Sequence, residues 1–193
     1  RVPLGSEVYM AGLHGLEITV HGHAWQHDAV ARAAAAVPTL EATLSPLVHA
    51  VPGARLEVKG AALAVHVGGV ARDARQPLLA AADVAAQPWL DGQMLRRLVG
   101  SDVHEYLPAA AWNKGDAVRW IVHDVVRTTG ADPWVVYLGD DLTDEDAFHA
   151  IEDGASVVVG RRASMARFRL DSPADVASLL ADLAEEAAAE VAR

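Results

Sequence analysis

Residues 135–146 place an apolar run directly before a cluster of acids, and this arrangement restricts the possible folds more than any other part of the sequence. The run Val-Val-Tyr-Leu-Gly at 135–139 is followed by five acids within the seven residues 140–146. An unbroken apolar run is typical of a parallel strand that is covered on both faces. Ligands of open α/β sheets lie beyond the carboxyl ends of such strands. Because clustered carboxylates repel one another, we expect a cation among them, and Mg²⁺ is the natural candidate because it takes oxygen ligands.

Part of the acidic cluster also has a purely structural explanation. Thr143 could cap a helix that begins at Asp144, and acids in a first helical turn are favoured by the helix dipole. This explanation covers residues 144–146 without any metal. It does not cover Asp140 and Asp141, which precede the cap. We therefore favour a metal or phosphate site and keep the structural alternative open.

Composition excludes several classes of function. The chain has 193 residues, of which 52% are hydrophobic, so it is globular and has room for one large or two small domains. Its net charge of −10 argues against nucleic acid and anionic membranes as partners. Cysteine is absent, which excludes disulfides, thiol catalysis and thiolate metal sites. No uncharged apolar run reaches the 18 residues of a membrane span, and we expect a cytoplasmic protein.

The pattern of elements changes along the chain. Residues 28–51 predict two helices broken at Pro38 and Pro46, residues 75–86 another helix, and residues 93–99 a short helix. Residues 55–59 and 63–67 predict an antiparallel pair of strands.

The C-terminal half predicts a different arrangement. From Asn113 onwards the order is helix–strand–helix–strand–strand–helix, which is typical of a Rossmann-like parallel layer. We therefore predict an α/β protein in which a Rossmann-like parallel sheet carries an inserted α+β domain. The predicted parts are a core segment at residues 1–19, the α+β domain at 20–102 and the second part of the core at 103–193.

Lys114 is the second candidate for a functional residue. Asn113 is a good helix N-cap, and Asp116 follows it at the third position. A lysine in the first turn is unfavourable to the helix dipole, and the neighbouring Gly115 costs roughly 1 kcal/mol relative to alanine. Two local penalties indicate a functional need, such as an ammonium aimed at a phosphate that the glycine allows to approach closely. The alternative is an ordinary solvated lysine.

The predicted antiparallel pair carries further charged residues. Glu57 and Lys59 are two positions apart and therefore share a face of their strand. A solvent-facing pair that supports the sheet is the simpler explanation of these two residues. His66 lies on the same sheet, where a lone histidine is more often packed or solvated than catalytic. Glu105 lies on the strand before Lys114.

Several motifs together resemble one known family. Residues 137–148, Tyr-Leu-Gly-Asp-Asp-Leu-Thr-Asp-Glu-Asp-Ala-Phe, resemble the fourth motif of trehalose-6-phosphate phosphatases, which belong to the haloacid dehalogenase superfamily. Three further parts of the sequence support this resemblance. Residues 11–18 are similar to the family's glycine–histidine–glycine segment, and residues 56–60 and 63–66 are similar to the strands of its cap domain. Residues 105–108 and 112–115 are similar to the family's third motif and the segment that precedes it. They occur in the family's order and cover nearly the whole chain.

The resemblance implies a reaction and a cofactor. Trehalose 6-phosphate would be hydrolysed to trehalose and phosphate through an aspartyl-phosphate, with Mg²⁺ and a lysine neutralising charge on the phosphoryl oxygens. It also implies a sugar phosphate as the small-molecule partner and a possible fusion or association with a trehalose-phosphate synthase. One alternative is a phosphatase for another sugar phosphate. The other is a non-catalytic module that binds a sugar phosphate or has a regulatory role.

The resemblance also implies residue roles. The expected catalytic residues are Lys114, Asp140 and Asp141. The expected metal-site residues are Asp140, Asp141 and Asp144. Of these, Asp141 and Asp144 would bind the water molecules of the metal or orient Lys114. The expected substrate-binding residues are Glu57, Lys59 and Glu105 on the cap and His14 and Gly15 near its hinge.

Two departures from the family pattern limit what this chain can do. The superfamily's first motif, Asp-x-Asp-Gly-Thr, is absent, and so is its second motif, a serine or threonine before the cap. The nucleophile is therefore not among these residues, and we expect an N-terminally truncated sequence that is inactive by itself. The chain begins at Arg1, which agrees with this expectation. The second departure is Leu107, where the family usually has arginine.

Overall fold

The computed structural model describes residues 8–191, and the chain divides into two compact units, Arg1–Ala111 and Trp112–Arg193. The structure is mixed α/β, with two antiparallel sheets in the first unit and a small parallel sheet in the second. None of the helices within residues 8–191 combines the length and the hydropathy that a membrane span requires. Residues 1–7, where the predicted core segment begins, lie outside the described residues.

A small antiparallel sheet opens the first unit. It contains β1 (Met10–Gly12), β2 (Glu17–Val20) and β3 (His23–Gln26) in that order. A single 3₁₀ turn, Leu13–Gly15, joins β1 to β2. All three residues of this turn have positive φ angles, +49°, +58° and +87°, which only glycine adopts without strain.

Two helices follow, as the sequence predicted. They are α1 (Asp28–Ala34) and α2 (Val37–His49), and Pro38 occupies the first turn of α2, where its missing N–H is not needed. The predicted break at Pro46 is wrong, because α2 continues through it. A buried apolar stripe holds that stretch of helix against the core and offsets the lost hydrogen bond, and its members are Leu40, Leu44 and Val48.

A four-stranded antiparallel sheet forms the rest of the first unit. Its strands are β4 (Arg55–Lys59), β5 (Ala62–His66), β6 (Leu95–Val99) and β7 (Val103–Pro108), in the order β4-β5-β7-β6. The predicted antiparallel pair is thus confirmed. The short helix predicted at 93–99 is wrong, because β6 pairs along its whole length with β7.

One long helix, α3 (Arg72–Asp91), precedes β6 and contacts it. It is longer than the predicted 75–86 because Pro77 and Pro88 lie inside it without ending it. The strand at 103–108, predicted to open the second part of the core, belongs to the antiparallel sheet of the first unit. The three-part division with an inserted domain stays a prediction.

The second unit has the predicted order of elements. Its members are α4 (Lys114–Thr129), β8 (Val135–Gly139), α5 (Glu145–Ala150), β9 (Gly154–Val159), β10 (Phe168–Leu170) and α6 (Pro173–Val191). The three strands are parallel in the order β10-β9-β8. In the described residues β8 pairs with β9 alone, and all five of its residues are half-buried. The prediction that this strand is covered on both faces is therefore wrong for the described chain.

Candidate active site

The first turn of α4 is held by a complete capping box. The Oδ1 atom of Asn113 accepts a hydrogen bond from the backbone N–H of Asp116 at 3.0 Å, and the Asp116 carboxylate accepts one from the N–H of Asn113 at 2.9 Å. This reciprocal pair satisfies two backbone donors that a helix start otherwise leaves free. The predicted cap is confirmed, and it sets Lys114 at the first position of the helix.

Asp144 is the centre of the site in the second unit. Its Oδ1 accepts hydrogen bonds from the Lys114 ammonium at 2.7 Å and from the Tyr137 hydroxyl at 2.8 Å, and its Oδ2 accepts one from the N–H of Asp141 at 2.9 Å. Only 4% of Asp144 is exposed. Burial acts to raise the pKa of this carboxyl, but the hydrogen bonds from Lys114, the Asp141 backbone and Tyr137 outweigh it and lower the pKa. Asp144 is therefore an ionised anchor that orients Lys114.

Two glycines make room for this arrangement. A Cβ atom on Gly139 would lie 2.5 Å from the Cβ of Asp144, so the end of β8 must be glycine for Asp144 to pack there. A Cβ on Gly115 would press against the backbone carbonyl of Asp146 in α5. We predicted that Gly115 admits a phosphate, but in this structure it admits a neighbouring helix. Packing of α4 against α5 explains one of the two local penalties near Lys114.

The acids between β8 and α5 have different tasks. Asp141, not Thr143, is the cap, and it caps a 3₁₀ turn, Leu142–Asp144, that leads into α5. Its Oδ1 accepts from the N–H of Leu142 at 2.6 Å, and its Oδ2 accepts from the Thr143 hydroxyl at 3.2 Å. The structural alternative with Thr143 as the cap is therefore wrong in its detail. Asp140 is exposed, and within residues 8–191 no hydrogen bond or ion pair reaches its carboxylate.

These positions bear on the predicted metal site. Within the described residues no group of three histidine, cysteine or acidic side chains is arranged to hold a metal ion. The Asp144 carboxylate is hydrogen-bonded to Lys114, and the Asp141 carboxylate is used as a helix cap. Asp140 remains as one uncommitted carboxylate at the carboxyl end of a parallel strand. This donor set fits Mg²⁺, which is often held by one or two carboxylates together with a substrate phosphate.

From the sequence, Arg162 is most simply interpreted as part of a solvated loop, but the structure gives it a role at the site. Its guanidinium donates to the backbone carbonyls of Asp140 at 2.8 Å and Asp141 at 2.6 Å, and it pairs with Glu145. The loop that carries the acids is thus tied down from the neighbouring strand, because Arg162 follows β9. The sequence feature that could have indicated this role is the position of Arg162 just beyond the carboxyl end of a second parallel strand.

A second polar cluster lies in the first unit, on one face of the four-stranded sheet. Glu57 and Glu105 both lie opposite Ala64 in the register of β4, β5 and β7. The Lys59 ammonium lies 3.4 Å from the Glu57 carboxylate and 3.5 Å from that of Glu105. The His14 ring lies 3.4 Å from the other oxygen of Glu105. Four of the predicted substrate-binding residues therefore form one connected network, which a solvent-facing pair alone does not explain.

His66, which the sequence analysis treated as a packed or solvated histidine, is also a member of this cluster. Its Nε2 lies 2.8 Å from the Glu57 carboxylate, and this hydrogen bond is the main reason why the pKa of Glu57 is lowered. The pKa of Glu105 is lowered chiefly by its hydrogen bond with His14. Both carboxylates are therefore ionised acceptors. The signal for His66 was register: it shares a sheet face with Glu57, nine residues away.

His14 reaches Glu105 from a strained turn. Its φ angle of +58° lies in the left-handed region, between Leu13 and Gly15, which have positive φ as well. Strain of this kind persists only where the surroundings hold it, and it concentrates at functional sites. Gly15 accommodates the turn, while its role at a hinge stays a prediction.

Comparison with known proteins identifies the family. The family model described as Trehalose-phosphatase matches residues 5–174. The chain belongs to the trehalose-phosphatase family. Two relatives, each named Trehalose-phosphate phosphatase, are from Mycobacterium marinum, 38% identical over 189 residues, and Mycobacterium tuberculosis, 39% identical over 190 residues. Each alignment covers 93% of this chain but only 47% and 46% of the respective relative, so the chain spans about half the length of these curated relatives.

Solved structures share the fold of this trehalose-phosphatase chain. A crystal structure of a trehalose-6-phosphate phosphatase related protein superposes with a TM-score of 0.79 at 21% identity, covering 92% of this chain and 72% of the other. Such a match shows that the two chains share a fold. The predicted family is confirmed by the family model and by the relatives.

Proposed function

We propose that the protein to which this chain belongs hydrolyses trehalose 6-phosphate to trehalose and phosphate in the presence of Mg²⁺. The observation that carries this proposal is the Lys114 ammonium, anchored by the buried Asp144 near the carboxyl end of β8, where the Asp140 carboxylate has no partner in the described chain. A fixed cation and a free carboxylate at this position suit a phosphate and its metal. Family membership supplies the substrate class.

Lys114 is the residue we assign to the phosphoryl group. An ammonium has three N–H donors, and the hydrogen bond to Asp144 takes one of them. Its side chain is 27% exposed, so the other two donors can reach a phosphate oxygen. Asp140 would hold Mg²⁺, which would supply further neutralisation of charge on the phosphoryl oxygens. Asp144 and Tyr137 keep Lys114 in place and do not need to touch the substrate.

The network in the first unit is proposed to bind sugar hydroxyls. Ionised carboxylates are strong acceptors for hydroxyl donors, and the Lys59 ammonium is a donor for hydroxyl oxygens. Because Glu57 and Glu105 are both held ionised, they stay acceptors through the neutral pH range. Glu57, Lys59, Glu105 and His14 therefore form the proposed selectivity element for trehalose 6-phosphate over other sugar phosphates.

The nucleophile is proposed to come from outside this sequence. The 193 residues contain no Asp-x-Asp-Gly-Thr motif. The relatives are about twice as long as the aligned chain, which leaves room for that segment. We therefore propose that this chain alone is inactive.

Phosphate release by the full-length protein tests the proposal. Lys114→Met and Asp140→Asn are expected to lower kcat on trehalose 6-phosphate at least about 100-fold, the loss typical for a stabiliser of transition-state charge. Asp146→Asn is the matched control, since it removes an exposed charge from the neighbouring first turn of α5, and it should keep full activity. Wild-type activity in Lys114→Met would contradict the proposal.

A second function is favoured by the missing nucleophile motif. In this alternative the natural protein binds a sugar phosphate without hydrolysing it. Trehalose 6-phosphate would then raise the melting temperature of the full-length protein while no phosphate is released. Comparison of trehalose 6-phosphate with sucrose 6-phosphate and glucose 6-phosphate in the same two assays separates this alternative from a phosphatase of different specificity.

A further inference from the structure

The first unit contains an open surface pocket of about 660 Å³ that none of the roles above uses. Arg32 of α1 and Arg96 of β6 contribute the charged part of its lining. Apolar walls come from Leu90, Leu95 and the three alanines at 109–111. A volume of this size, with apolar walls and a few polar groups, is typical of a small-molecule site.

The two arginines of this pocket have no partners in the part of the chain that the structure describes. Within the described residues no hydrogen bond or ion pair reaches the side chain of Arg32 or Arg96, and the Nε of Arg96 is buried without an acceptor. Asp28 precedes Arg32 by one helical turn but does not pair with it. Six of the twelve arginines within residues 8–191 pair with carboxylates, namely Arg55, Arg75, Arg97, Arg119, Arg127 and Arg162.

The register of β6 explains why the Arg96 side chain has no ion-pair partner in the described residues. Arg97, the next residue, points to the opposite face and pairs with Asp83 of α3. Arg96 lies opposite Leu107, a buried apolar residue that offers its guanidinium no side-chain acceptor. Arg96 is therefore a half-buried cation whose guanidinium has no protein acceptor among the described residues.

We propose that this pocket binds an oxyanion, a phosphate, sulfate or carboxylate group, held by Arg32 and Arg96. A guanidinium is a planar fork that matches two oxygens of such a group. No residue of this site belongs to the Lys114 site or to the Glu57–Lys59–Glu105–His14 network, so the inference stands independently of the proposed function.

Calorimetric titration of the full-length protein with inorganic phosphate, and separately with sulfate, in chloride buffer tests the site. Arg32→Gln and Arg96→Gln are each expected to raise Kd at least about tenfold, the loss typical of one charge-assisted hydrogen bond. The matched control is Arg161→Gln, which removes an exposed arginine of the second unit that has no partner within residues 8–191 and should leave Kd unchanged. Arg96→Lys keeps the positive charge but loses the planar guanidinium, so its Kd should lie between those of the wild type and Arg96→Gln.

Phosphate could also bind at Lys114, so a Lys114→Met protein is titrated in parallel. Binding by the proposed site survives this change. The proposal is overturned if binding is lost in Lys114→Met and kept in both arginine variants, or if no saturable binding occurs below about 10 mM. Melting temperatures in phosphate-free buffer separate structural effects: a merely structural arginine lowers them when replaced, whereas Arg96→Gln should not. Arg32 is exposed on α1, so its variant remains informative if Arg96→Gln fails to fold.

Discussion

Replacing Asp144 by asparagine should destabilise the protein strongly although it changes no side-chain size. The carboxylate accepts three hydrogen bonds, from Lys114, Tyr137 and the Asp141 backbone, and its side chain is only 5% exposed. An asparagine keeps one acceptor oxygen and turns an NH₂ group towards one of the donors. Loss of the charge-assisted bond costs about 1.5–3 kcal/mol, and a buried donor without an acceptor adds about 1–3 kcal/mol. Easier burial of a neutral side chain offsets part of this, so we expect a decrease of about 3 kcal/mol in the free energy of unfolding.

Urea unfolding followed by circular dichroism measures this change. With an m-value of about 2 kcal/mol/M, the midpoint should fall by about 1.5 M at pH 7. Asp146→Asn is the control, since it removes the same charge from an exposed position two residues away and should shift the midpoint little.

The effect of Asp144→Asn should also depend on pH. The pKa of Asp144 is lowered in the folded protein, so its ionised form contributes stability above the ordinary aspartate pKa of 3.8. That contribution is lost as the pH falls through the lowered value. The difference between wild type and variant should therefore persist from pH 7 to about 4 and shrink below it. Equal midpoints for Asp144→Asn and Asp146→Asn at pH 7 would refute the reasoning.

Two further predictions test close packing and the polar network. Gly115→Ala should lower the free energy of unfolding by about 1–3 kcal/mol, because the added Cβ presses on the backbone carbonyl of Asp146. In the control Gly68→Ala the added Cβ has ordinary contact distances, so the decrease should be less than about 1 kcal/mol. Thermal unfolding measures both changes. His14→Gln should raise the pKa of Glu105, because the hydrogen bond from His14 is the main cause of its low value; an unchanged carboxyl titration by NMR would contradict the contact.

Local signals predicted much of the second unit. The capping pattern at Asn113 and Asp116 is contained in a few consecutive residues, and so is the apolar strand before the acids. The division of labour among the acids depends on Lys114, which is 30 residues away from Asp144, and on Tyr137. Spacing could therefore locate the site but could not show that Asp144 is the buried anchor and Asp140 the uncommitted carboxylate.

The first unit shows where local patterns mislead. Leu95 and Leu98 are three residues apart, a spacing that suits a helix, yet these residues form β6 because pairing with β7 decides the conformation. Prolines misled in the opposite direction. Pro46 lies inside α2, where the burial of Leu44 and Val48 outweighs its missing hydrogen bond. Both errors have the same origin, since tertiary contacts override local preference.

The half-buried strand β8 has a practical consequence. In the described residues it pairs only with β9, and Trp134, directly before it, is 69% exposed. A strand with an open edge and apolar side chains accepts any other strand that offers matching backbone groups, including one from a second molecule. When the chain is produced by itself, its apparent stability should therefore vary with protein concentration, and dilution series belong in every unfolding experiment.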